Sequence, residues 1–157
     1  MLDVAKKDAT DGMREPAFYR PDAANDLIPQ RPPGEYPLVY WLNSDTVAID
    51  WFGEVTEDKC RFALAQLQHL TRERKPRQFF SDTSLATGYV PTIRRGAAEI
   101  LLHLRRAGVH EMAAVFNSPS IRMFAAAVAF VTGLKLKAFE RREDALRLLS
   151  SHHRWEN

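Results

Sequence analysis

Five consecutive apolar residues, Met112-Ala113-Ala114-Val115-Phe116, lie between two helix signals. Gly108 stops the amphipathic segment before them, and Ser118-Pro119 opens the next with a hydroxyl cap and a proline at the first helical position. A run this short, without polar alternation, reads as a strand buried on both faces. Such a strand needs helices on both sides of its sheet, which points to an α/β fold.

The flanking sequence supplies the other layers. Leu38, Tyr40 and Leu42 alternate with Val39 and Trp41. Asn43-Ser44-Asp45 is a turn cluster, and Val47, Ile49 and Trp51 then alternate with Ala48, Asp50 and Phe52. These runs predict a hairpin. Thr56 can cap a first helix, with Glu57 and Asp58 in its first turn and Cys60, Leu64, Leu67 and Thr71 near one face. Gln78 to Asp82 reads as a short strand, followed by a loop from Thr83 to Pro91. A second helix gathers Ile93, Ala97, Ile100, Leu101 and Leu104 on one side, with Arg95, Glu99, His103 and Arg106 opposite. The third helix runs to about Thr132, where Gly133 ends it. Leu134 to Phe139 is the last strand, its Lys135 and Lys137 suited to a protected sheet edge. A final helix turns Ala145, Leu148 and Leu149 inward. The order is β-β-α-β-α-β-α-β-α: a mixed five-stranded sheet with an antiparallel first strand, parallel pairing elsewhere, right-handed crossovers, and helices packed on the sheet.

Residues 1–35 differ. They hold five of the nine prolines and show no periodicity, which reads as an extended or disordered N-terminal arm before a domain spanning 36–152. The N-terminus has no apolar core of a secretory signal, and the uncharged stretch Met123 to Leu134 falls short of the roughly 20 residues a membrane span needs. The only cysteine, Cys60, cannot form an internal disulfide, which fits a cytoplasmic location. A net charge of +2, with arginine pairs interrupted by acidic residues, reads as a solvated surface rather than a nucleic-acid site; Arg141-Arg142 is one such pair. No phosphate-binding glycine loop, dinucleotide fingerprint or serine-hydrolase elbow is present. The five histidines form no metal-ligand spacing and read mostly as solvated helix-face residues. The expectation is therefore no enzyme, no cofactor and no metal.

The order of elements resembles STAS domains and the SpoIIAA-like family. Three stretches carry the resemblance. They are Gly53-Glu54-Val55-Thr56-Glu57-Asp58; the apolar strand followed by Ser118 and Ile121-Arg122-Met123; and Lys137-Ala138-Phe139 with Glu143-Asp144-Ala145-Leu146-Arg147-Leu148-Leu149. The resemblance covers about residues 36–149 and implies a regulatory, protein-binding module. Anti-sigma-factor antagonists of this superfamily carry a phosphorylated serine in an Asp-Ser-Ser-Gly motif. Here the matching stretch, Gly88 to Gly96, lacks that motif and offers Thr92 as the only hydroxyl near the position. The family's relation in fold to lipid-carrying domains implies, as an alternative, a carrier of an apolar small molecule.

Two candidate sites follow. Asp82 and Ser84 lie at the carboxyl end of the middle strand, the edge where open α/β sheets bind ligands; the competing reading is local turn chemistry. With Thr92 they are the candidate loop or phosphorylation site. The third helix carries two apolar rows. Ile121, Phe124, Ala125, Val128 and Thr132 suit the sheet, and Met123, Ala127 and Phe130 form a second row. A helix on a sheet needs one stripe. The second row is covered by neighbouring structure, or it meets a protein partner, a second copy in a homodimer, or an apolar ligand.

Overall fold

The computed structural model describes residues 36–156, and the side chains as far as residue 150. The arm assigned to residues 1–35, and the side chains of His152 and His153, lie outside that range. Strand β1 (Leu38–Trp41) turns through Asn43, whose side chain accepts from the Asp45 and Thr46 amides, into β2 (Thr46–Val55). Helix α1 (Glu57–Leu70) follows, then β3 (Gln78–Tyr89). A single 3-10 turn (Pro91–Ile93) leads into α2 (Arg94–Ala107). Then come β4 (Glu111–Val115), α3 (Pro119–Thr132), β5 (Lys135–Phe139) and α4 (Arg142–Glu156). The sheet order is β1-β2-β3-β4-β5, with β1 antiparallel to β2 and every other pair parallel.

Helix boundaries follow local chemistry. The Thr56 hydroxyl accepts from the Lys59 amide, and the Ser118 hydroxyl from the Ile121 amide. Gly133 ends α3 at φ +81°, a left-handed conformation that costs glycine little.

The two faces of the sheet are unequal. One packs Trp41, Val47, Ile49, Phe79, Met112 and Ala114 into a large core with α1, α2 and α3. The other packs Tyr40, Leu42, Ala48, Phe80, Ala113 and Val115 against Ala145, Leu146 and Leu149 of α4. Leu148, expected inward, is half-buried instead, and Leu146 takes its place.

One element departs from expectation. The segment from Thr83 to Tyr89 is strand, not loop: β3 runs on beyond the end of β4 and pairs with Phe52 to Val55. Ser84 and Gly88 look like loop residues in sequence. In the fold the Asp82 carboxylate accepts from the Ser84 amide, and the extra length of β2 supplies a pairing partner.

Candidate interaction surface and buried ion cluster

Helix α3 buries Ile121, Val128, Ala129 and Thr132 against the core. Its other side is apolar and open: Met123 is 74% exposed, Phe130 86% and Val131 80%. Ala126 and Ala127 lie exposed between them. The second row read from sequence is thus surface, and Val131, four residues after Ala127, extends it. Exposed apolar patches, when large and contiguous, mark interaction sites.

Beside this face a groove of about 1310 Å³ runs between α2 and α3. It brings together Thr92, Arg94 and Arg95 with Met123, Ala127 and Val131; Phe130 is not part of its lining. Thr92 is exposed on the 3-10 turn just ahead of α2, not within the helix.

Asp82 and Ser84 belong elsewhere. Asp82 is 1% exposed, with one carboxylate oxygen on the Ser84 amide at 2.8 Å and the other on Arg142 at 2.6 Å. The Ser84 carbonyl accepts from the Asn117 side chain, the Thr83 hydroxyl donates to the Val115 carbonyl, and the Ser81 hydroxyl accepts from the Trp51 indole. The polar groups of this strand end are engaged in holding β2, β3 and β4 together.

Arg142 is 6% exposed, and the solvated-surface reading fails for it. Its guanidinium meets Asp50 at 2.8 Å, Asp82 at 2.6 Å and the Tyr40 hydroxyl at 2.8 Å. Tyr40 in turn donates to Asp50 at 3.0 Å. One buried cation therefore ties α4 to β1, β2 and β3. Burial pushes the Asp50 carboxyl up to about 6, against the opposing pull of Arg142, and the neighbouring Asp82 charge adds to the rise. Its second oxygen, Oδ2, is buried without a hydrogen-bond partner among the described residues. Arg141, the neighbour in sequence, is exposed and pairs with Glu143 and Asp144.

A cavity of about 90 Å³ lies between the sheet and the three helices, lined by Trp51, Cys60, Phe79, Phe116, Tyr89 and Phe124 among others. The Tyr89 and Phe124 rings stack with centroids 4.7 Å apart, and both, with Val128, also line the outer groove. Cys60 is buried, and burial pushes its thiol up to about 11, which keeps it protonated at neutral pH. His103, read as a solvated residue, is half-buried and lies 3.0 Å from the Thr71 hydroxyl, linking α2 to the end of α1.

The strand order, the antiparallel first strand and the alternating helices define a SpoIIAA-like fold. Solved structures share it, these two among them. One is a protein of the DUF3478 family with a SpoIIAA-like fold from Shewanella loihica PV-4, at TM-score 0.57 and 15% identity, over 78% of this chain and 98% of that one. The other is the anti-sigma factor antagonist SpoIIAA in its unphosphorylated form, at TM-score 0.54 and 14% identity, over 73% of this chain and 97% of that one. No protein-family model matches the chain, and no curated protein matches it in sequence. Among the described residues no helix is long and apolar enough to cross a membrane.

Proposed function

We propose that this chain is a non-enzymatic, cytoplasmic regulatory module that binds a protein partner through the outer face of α3. The observation that carries the reading is the solvent exposure of Met123 and Phe130 on a helix whose inner stripe already satisfies the core. An apolar face of this extent is an aggregation risk unless something covers it. The solved relative named as an anti-sigma factor antagonist supports a regulatory setting through its fold.

The carrier reading is weaker. Small-molecule sites occupy roughly 300–1,000 Å³, and the apolar cavity between the sheet and the helices holds about 90 Å³. A phospho-regulated variant of the module retains one favourable observation: Thr92 is exposed and lines the groove beside Arg94 and Arg95.

The test is Phe130→Glu. The residue is surface in the free chain, so the variant should melt within about 0.5 kcal/mol of the parent. Association, read by native mass spectrometry and sedimentation of protein purified from its own cells, should be lost. A folded variant whose association is unchanged would remove α3 as the docking face.

A further inference from the structure

The cations around α3 are distributed in a way that selects a partner. Helices α2 and α3 together carry five arginines, at 94, 95, 105, 106 and 122, against one acid, Glu99. Arg94 and Arg95 occupy the first turn of α2, where the helix dipole favours acidic residues and disfavours cations. Helices α1 and α4 carry acids there, Glu57 and Asp58 in one and Glu143 and Asp144 in the other, whereas α3 carries none. Helix α2 also starts without a side-chain cap. Arg95 is offset only by an exposed pair with Glu99 at 3.1 Å, a kind of pair worth little. Arg94 and Arg122 make no ion pair among the described residues. A local rule broken without an internal gain is expected where a binding surface is built.

Of these arginines, Arg94 and Arg95 line the groove whose apolar lining includes Met123, Ala127 and Val131. An apolar floor with a cationic rim, in a channel between two helices, matches the helix-in-groove mode of recognition. We propose that this groove receives an acidic amphipathic helix of a partner protein, its apolar stripe on Met123, Ala127 and Val131 and its carboxylates on Arg94 and Arg95. The inference rests on the docking role proposed for α3 and adds the chemistry of the partner. A second copy of the chain fits less well, because it would set the same arginines against each other. An anionic bilayer fits less well too. A flat surface does not fill a groove, and the two arginines that line it, Arg94 and Arg95, fall below the cluster of roughly 4–8 that marks such lipid binding.

The experiment selects short helical peptides with randomised surface charge on the full-length protein. Enriched peptides are then measured against the parent, Arg94→Glu with Arg95→Glu, and Met123→Glu with Phe130→Glu. Acid in the first turn of α2 suits the helix dipole, so the arginine variant should fold at least as well as the parent; a thermal melt checks both variants. The expected peptides are acidic, with apolar residues at i, i+3, i+4 and i+7. Their binding should weaken as salt rises and fall about tenfold or more in the arginine variant. Neutral or basic peptides that lose binding only in the Met123/Phe130 variant would overturn the acidic partner while leaving the docking face intact. Peptides indifferent to both variants would overturn both. Vesicles rich in phosphatidylserine that outcompete the peptides, or parent protein that dimerises through α3, would overturn the inference in favour of a bilayer or a second copy.

Discussion

At Asp50 a carboxyl that is 1% exposed shares one guanidinium with a second carboxylate, Asp82. A single cation cannot neutralise both, and burial raises Asp50 to about 6 from an ordinary 3.8. The folded chain therefore binds the Asp50 proton more tightly than the unfolded chain does. The resulting stability is fully present below about 3.8 and is lost as pH rises through about 6, a change on the order of 3 kcal/mol. Urea melts of the parent at pH 5 and pH 7.5 should show greater stability at pH 5 from this group. Asp50→Asn should shrink that difference, since the amide has no proton to lose; an unchanged difference would assign the effect to other groups. The sequence holds half of this arrangement. Asp50 breaks an otherwise apolar alternation, on the same strand face as Ala48, which signals a buried acid. Its partner stands 92 residues away and looked like half of an ordinary arginine pair. No local pattern joins the two.

Helix α4 illustrates how one polar anchor and a few apolar contacts set the position of an element. Ala145, Leu146 and Leu149 supply the packing, and Arg142 supplies the register. Arg142→Met would leave the buried Asp50 and Asp82 without their shared cation. Breaking one side of a buried pair costs roughly 3–5 kcal/mol. The variant should lose about that much in a denaturant melt and show faster amide exchange in α4 than in α2. Equal protection of the two helices would mean that Ala145, Leu146 and Leu149 hold α4 without the arginine. At the start of α2, Thr92 stands ahead of the helix rather than capping it. The Asp-Ser-Ser-Gly motif of the anti-sigma-factor antagonists is absent around it. Thr92→Ala should leave partner association unchanged in the same sedimentation assay. Lost association, together with phosphate found on Thr92 in cells, would make the turn a switch. Helix stops and starts were legible because Thr56, Ser118, Gly108 and Gly133 act on their own neighbours. The long β3 was not, because its second half becomes strand only by pairing with a β2 that outreaches β4.

Across the molecule, the larger core and the open α3 face lie on the same side of the sheet. Tyr89, Phe124 and Val128 line both the cavity of about 90 Å³ and the groove beside α3. The stacked rings of Tyr89 and Phe124 are the bulkiest of these shared residues. Phe124→Ala would enlarge the cavity toward the groove at a cost of about 3 kcal/mol, the low end for a core truncation because the ring is half-buried. An apolar void of comparable size takes up xenon or a small aromatic ring. The variant should therefore gain thermal stability on addition of indole, where the parent gains none. An equal response from both proteins would show that the Phe124 ring does not limit the space. If the variant responds, the chain offers a ready host for engineering. The apolar cavity beneath the stacked rings could be refitted as a sensor, with the arginine-lined groove outside it reporting what has entered.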